Sequence, residues 1–284
     1  MAYQAEVSRT NPSCILLLTD QSESMLEPWG NDPQLSKAEG LAQVINGFLY
    51  NLILKCTKSE GVRDYFHVGI IGYGSEVTSG FSGLLEGQTL VPVSWLEKYP
   101  LRMEARRELV DDGAGGKKLL TTQWPIWYQP RVKGRTFMCQ ALQAAEKLLL
   151  DWRDEHPACL PPLVINITDG EANDGNPLAA ARQLMQLRFD DGPVLLFNLH
   201  ISHQAAPSIR FPETPADLPD EYARVLWRMS SVLPERMRLM AQELRRQIGP
   251  QARGFIFNAT ADDLIKFLEI GTRAADQLLP VANV

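Results

Sequence analysis

The sequence predicts an α/β fold, a doubly wound and mostly parallel sheet with helices on both faces. Two observations carry that expectation. Short, continuously apolar runs such as Cys14-Ile-Leu-Leu-Leu-Thr-Asp20 and Pro162-Leu-Val-Ile-Asn-Ile-Thr168 mark strands buried on both sides. Between such runs lie segments with apolar residues at helical spacing, and strands alternating with helices imply parallel pairing under two helical layers. At 284 residues, a compact chain buries about three quarters of its extended surface. A core of that size needs neither disulfide nor metal.

The elements follow in order. The first strand ends at Asp20. Ser36-Lys-Ala-Glu39 has the pattern of a capping box, in which serine hydroxyl and glutamate carboxylate satisfy free N–H groups at a helix start. Leu41, Val44, Ile45, Phe48 and Leu52 recur behind it, which predicts an amphipathic helix over 37–55. Phe66–Tyr73 reads as the second strand, and Glu76–Thr78, past the Gly74-Ser75 turn, as the third. Residues 139–152 predict a helix, and 162–168 a buried strand again followed by an acid, Asp169. Asn176-Pro177 is expected to open the next helix, with Asn at the N-cap and Pro at the first helical position. Residues 194–201 and 254–258 predict two more strands. Residues 221–247 predict one or two helices split near Leu233-Pro234, and Thr260-Ala-Asp-Asp263 the cap of a last helix to about Arg273.

Two segments break the rhythm. Residues 82–133 read as a long irregular insertion with Trp95, Trp124 and Trp127, three of the six tryptophans. Loops of that length are functional or disordered, and the aromatic residues speak against disorder. Most of them are expected to pack as a private core, with the part nearest Thr136 serving recognition. Residues 205–220 hold Pro207, Pro212, Pro215 and Pro219 and predict a surface connection. Residues 1–284 are accordingly read as one domain with an insertion at 82–133 and an elaborated helical segment at 205–250.

Composition removes several classes of function. A formal net charge of -6 opposes sequence-independent nucleic-acid binding, which draws on basic surface. The first residues, MAYQAEVSRTNPSC, lack the apolar stretch of a secretory signal, and no apolar run reaches the roughly 18 to 20 residues of a membrane span. Cys14, Cys56, Cys139 and Cys159 are scattered without a CxxC, as expected of reduced thiols. Together these features predict a cytoplasmic protein.

The chemistry concentrates after the first strand, in Asp20-Gln-Ser22-Glu-Ser24. Acid, hydroxyl and hydroxyl at alternate positions form an array of oxygen donors, which suits a hard divalent cation such as Mg²⁺. Three donors do not fill six positions. Thr136, between a glycine-containing turn and a helix, and Asp169 are the further candidates. Asp20 and Asp169 both end buried parallel strands, and ligands of doubly wound sheets bind at the carboxyl ends of strands, where the strand order reverses.

In this Asp20-x-Ser22-x-Ser24 pattern, the later Thr136 and the Thr168-Asp169-Gly170 turn, the chain resembles von Willebrand factor type A domains with a metal-ion-dependent adhesion site, of the intracellular bacterial kind. The resemblance covers about residues 12–275, less 82–133. It implies a six-stranded sheet in the order 3-2-1-4-5-6 with one antiparallel edge strand. It further implies that Ser22, Ser24 and Thr136 bind Mg²⁺ directly, with Mn²⁺ or Ca²⁺ as alternatives. Asp20 and Asp169 would act through hydrogen bonds and metal-bound water. One metal position would stay open for a Glu or Asp of a partner protein, with an ATPase, kinase or phosphatase of the same system among the partner classes. Thr121 and Thr122 also precede the helix and compete with Thr136 for the third hydroxyl. Only Glu27 follows the motif, which leaves a second, adjacent cation site without its acids. Glu23, Arg131, Arg135 and Glu171 are the candidate partner-contacting residues, and Lys133 adds charge beside them.

Other patterns are weaker. Gly113-Ala-Gly-Gly116-Lys117-Lys118 departs from a phosphate loop at Asp111 and Lys118. His200 and His203 would point to opposite faces of a strand. There is no G-x-S-x-G elbow, and the second acid of an aspartate-nucleophile phosphatase is replaced by Ser22. No catalytic residue is therefore assigned. The expected function is metal-dependent protein binding, with a metal-dependent hydrolase or a structural subunit with a vestigial site as alternatives.

Overall fold

A computed structural model of the chain describes residues 3–30, 32–111, 116–202 and 206–276. Strands β1 (Ser13–Asp20), β2 (Phe66–Tyr73), β3 (Val77–Ser79) and β4 (Val91–Pro92) come first, with helix α1 (Lys37–Cys56) before β2 and α2 (Val93–Lys98) after β4. Strands β5 (Arg102–Asp111) and β6 (Lys117–Ile126) precede helix α3 (Met138–Glu155). Then follow β7 (Leu163–Thr168), α4 (Leu178–Gln186), β8 (Leu195–His200), β9 (Ile209–Arg210), α5 (Glu221–Arg228), α6 (Glu235–Met240), β10 (Phe255–Phe257) and α7 (Ala261–Asp276).

The large sheet is mixed and mostly parallel. Among the described residues it has eight strands, running β9-β10-β8-β7-β1-β2-β3 with β4 also on β2. The six-stranded expectation is therefore too small by β4 and β9. Each is two residues long, too short to leave a periodic trace in sequence. The pairings from β2 through β1, β7 and β8 to β10 are parallel, while β3, β4 and β9 pair antiparallel. Both edges are thus antiparallel, where one was expected.

Alternation along β1 divides the core. Ile15 and Leu17 face one layer with Leu41, Ile45, Phe48 and Leu52 of α1 and Leu264, Phe267 and Leu268 of α7. Cys14, Leu16 and Leu18 face the other, with Leu142, Ala145 and Leu149 of α3, Leu184 of α4 and Leu226 of α5. The capping box of α1 is formed, Ser36 Oγ accepting from the Glu39 amide while Glu39 accepts from the Ser36 amide. Helix α4 starts one residue later than expected. Pro177 occupies the N-cap position and Asn176 Oδ1 accepts from the Leu178 amide at 3.0 Å, so the asparagine side chain still serves the helix start.

The described residues of 82–133 are not irregular throughout. They carry α2 and an antiparallel hairpin of β5 and β6, in which Arg102 pairs with Ile126 and Thr121 with Arg107. The part that leaves the hairpin is locked to α1 by Asn46, 2% exposed. Its Oδ1 accepts the amides of Trp127 and Tyr128, and its Nδ2 donates to the carbonyls of Ala42 and Tyr128. Trp127 and Tyr128 are buried, Trp124 packs against Tyr50 of α1, and Trp95 is 41% exposed. All four cysteines are free thiols, three of them buried. Among the described residues no helix is long and apolar enough to cross a membrane.

Candidate metal centre

The two acids sit at the carboxyl ends of adjacent parallel strands. Asp20 closes β1, Asp169 follows β7, and Thr19 and Ile167 are register partners. Asp20 is 1% exposed. Its Oδ1 accepts the Ser22 amide at 2.8 Å and its Oδ2 the Thr168 hydroxyl at 2.6 Å. An aspartate that bonds the amide two residues on turns the chain, so this acid shapes the loop bearing the two serines. Burial pushes the Asp20 carboxyl up to about 6, the nearby Asp169 charge adds to the rise, and the Ser22 and Thr168 hydrogen bonds oppose it.

A short 3₁₀ turn, Glu23–Leu26, sets the spacing of the serines, with Met25 buried beneath it. The Ser22 and Ser24 hydroxyl oxygens lie 3.0 Å apart, and Ser24 donates to Asp169 Oδ1 at 2.8 Å. Glu23 between them is exposed.

Thr136 is held at the same end of the sheet. The Lys133 amide donates to the Gln21 carbonyl at 2.7 Å and the Glu23 amide to the Gly134 carbonyl at 3.0 Å. Gly134 has φ 71°, and a Cβ there would collide with Ser75 Oγ, so the crossing of these loops requires glycine. Thr136 is 4% exposed, and its amide and carbonyl both bond Asn173. The loops 20–24, 133–136 and 169–174 are thereby tied together. Thr121 and Thr122 stand in the hairpin opposite Arg107 and Arg106, in a different part of the molecule.

Sequence reasoning missed Lys37. Its Nζ lies 2.6 Å from Asp169 Oδ2 and 2.9 Å from Glu27 Oε2, with the Lys37 side chain 2% and the Asp169 side chain 0% exposed. The signal was present: Lys37 heads the stripe continued by Leu41, Ile45 and Phe48, and a lysine on a buried stripe needs a partner. A cation in the first turn of a helix also opposes the helix dipole, so carboxylates must supply the compensation.

The candidate partner-contacting residues separate. Glu23, Arg135 and Glu171 are exposed around the loops, and the Tyr222 hydroxyl bonds Glu171. Arg131 was expected to add positive charge beside the crevice. Its guanidinium bonds Ser82 Oγ at 3.1 Å, the Ser79 and Phe81 carbonyls and Glu86, and it lines one cavity together with Gln21 and Lys133. Lys133 pairs with Glu76 at 2.9 Å.

Among the described residues no group of three or more His, Cys, Asp and Glu gathers, so the candidate depends on hydroxyl donors. His200 stacks on Phe257 and accepts the Asn258 amide, and burial pushes its imidazole down to about 4. His203 and residues 112–115 of the glycine-rich stretch lie outside the described residues.

No protein-family model matches the chain, and no curated protein matches it. Several solved structures are similar to it. The pilus adhesin SpaC of Lactobacillus rhamnosus GG is 13% identical over 96% of this chain and 31% of its own, with a TM-score of 0.50. The manganese-loaded TRAP protein of Plasmodium vivax is 22% identical over 69% of this chain and 59% of its own, at TM-score 0.35. The ArnB paralog VWA2 of Sulfolobus acidocaldarius is 10% identical over 69% and 36%, also at 0.35. The chain thus spans less than two thirds of each, and the likeness to SpaC is one of fold.

Proposed function

We propose that the protein is a von Willebrand factor type A-like module that binds a partner protein through a divalent cation held by Asp20, Ser22, Ser24, Thr136 and Asp169. The observation that carries this reading is the pair of adjacent hydroxyls, Ser22 and Ser24, set against Asp169 at the end of the central strands. Three hydroxyls and two carboxylates brought in on three tied loops make an all-oxygen donor set, which fits Mg²⁺, with Mn²⁺ or Ca²⁺ as alternatives. Ser22, Ser24 and Thr136 would hold the cation directly, and Asp20 and Asp169 would act through hydrogen bonds and bound water. The ion supplies a positive centre for a carboxylate. With few anionic ligands on it, an incoming Glu or Asp of a partner is strongly attracted.

Exposed Glu23, Arg135 and Glu171, with Arg131 beside Gln21, would meet the partner first. An ATPase, kinase or phosphatase of the same cytoplasmic system belongs to this proposal, and catalysis by the chain itself does not. The test is calorimetric titration of Mg²⁺ into the wild type and Asp20→Ala. Saturable binding by the wild type, weakened about tenfold or more in the variant, is expected, because a tenfold loss corresponds to one modest charged contact. Equal and negligible binding by both would overturn the metal reading. Capture of a partner that is insensitive to chelator would overturn the bridging role.

A further inference from the structure

We propose that Lys37 is a resident cation of the acid pocket, which neutralises Asp169 in the metal-free protein and thereby limits the affinity of the site for a divalent ion. The inference rests on the metal reading above and concerns what sets the strength of that site.

Both oxygens of Asp169 are engaged: Ser24 donates to Oδ1, and Lys37 Nζ lies 2.6 Å from Oδ2. The Asp169 side chain is fully buried, and the equally buried Asp20 lies close enough for their charges to interact. Two carboxylates held together away from water are costly unless a cation accompanies them. Lys37 is built to be that cation. Its backbone amide donates to the Glu27 carbonyl at 2.9 Å, and its Nζ is held from the other side by Glu27 Oε2. The position gives the helix no advantage, since a positive charge at the N-terminus of α1 opposes the helix dipole.

The charges show the consequence. Asp20 and Asp169 contribute two negative charges and Lys37 one positive, a local sum of -1. Glu27 is 51% exposed, and water screens it. A divalent ion would bring the sum to +1, so the loaded site would keep a positive charge for a partner's carboxylate. With a neutral residue at position 37, the empty pocket would stand at -2 and the loaded one at zero. Lys37 therefore exchanges metal affinity for attraction of an acidic partner.

The test uses Lys37→Met and Lys37→Gln in the full chain, the glutamine retaining an N–H for Asp169 should the methionine variant not fold. Mg²⁺ alone is titrated calorimetrically, and thermal midpoints are taken with and without it. Mg²⁺ is expected to bind both variants about tenfold or more tightly, as removing a like charge a few ångströms from the ion predicts. The metal-free variants should melt lower than the wild type, and Mg²⁺ should raise their midpoints by more. A purely structural lysine would lower the midpoint without raising the affinity. If the wild type binds Mg²⁺ and the variants bind it equally or more weakly, the inference is overturned and the metal reading stands. If none of the three binds, the metal reading itself is overturned.

Discussion

The hydroxyl oxygens of Ser22 and Ser24 lie 3.0 Å apart, although the residue between them, Glu23, faces solvent. Asp20 makes this possible by accepting the Ser22 amide, which turns the chain and brings two alternate hydroxyls to one point. Each retains lone pairs, and Ser24 already directs its proton at Asp169. An oxygen-lined pocket is therefore assembled by the loop's own hydrogen bonds.

Ser22→Ala follows directly from that arrangement. It removes one proposed ligand and leaves the Asp20 bond to the residue 22 amide in place, so the loop should keep its shape. Mg²⁺ affinity is expected to fall by about tenfold or more, since a hydrogen-bonding group at a charged centre is worth roughly 1.5–3 kcal/mol. The metal-free midpoint should move by no more than about 2 °C, as for substitutions that disturb no packing. Calorimetry beside a thermal melt checks both. Undiminished affinity would rule the hydroxyl out as a ligand.

The hold of Asn46 on the insertion gives a second outcome. Asn46→Leu keeps the branching and the number of side-chain heavy atoms but leaves the buried amides of Trp127 and Tyr128 and the Tyr128 carbonyl without their partner. Each buried polar group left unpaired costs about 1–3 kcal/mol. A loss of about 3 kcal/mol or more is expected from a urea melt, with faster proteolysis within 102–126 than in the wild type. Unchanged stability would mean that the insertion is held by its aromatic contacts alone.

What was legible in sequence was whatever is local. The buried runs of β1, β2 and β7 and the capping box of α1 are written within a few residues, and so are the spacing of Ser22 and Ser24 and the acid at the end of each central strand. The hairpin was not legible because its strands are largely exposed. Residues 117–124 show no buried alternation, and strand patterns are read from one buried face. Lys37 was not legible as a site residue because its partner, Asp169, lies 132 positions away. A lysine is read as solvated until the fold supplies the acid.

Acid should weaken the protein through two half-buried histidines. Burial pushes His67 down to about 4, against a lesser opposing pull from Asp64, and its ring packs on Trp152. In the unfolded chain it titrates near 6.5. Between those values the unfolded state binds a proton that the folded state does not, so stability is full above about pH 6.5 and falls toward pH 4. His200 contributes with the same sign. Asp20, pushed up to about 6, works in the opposite direction, so the reading is a comparison with the wild type at each pH. His67→Phe is expected to lose about 1–2 kcal/mol less than the wild type between pH 7 and pH 4.5. The full shift corresponds to roughly 3 kcal/mol, reduced here because the ring is partly exposed to screening water. Parallel urea midpoints for the two proteins across that range would refute the assignment.

Gly40 sets helix propensity against packing. In the interior of α1, alanine would be favoured over glycine by about 1 kcal/mol. A Cβ at position 40, however, would run into the ring of Trp29, which is 7% exposed and donates from Nε1 to the Ala259 carbonyl at 3.1 Å, just ahead of α7. Moving that ring costs about 1–3 kcal/mol through overpacking, and the lost hydrogen bond adds about 1 kcal/mol. Packing outweighs propensity. Gly40→Ala is expected to destabilise by about 1–3 kcal/mol, and the cost should largely vanish in a Trp29→Leu background, where the space is free. The double-mutant cycle measures this coupling. Additive effects of the two substitutions would show that Trp29 is not what keeps residue 40 a glycine.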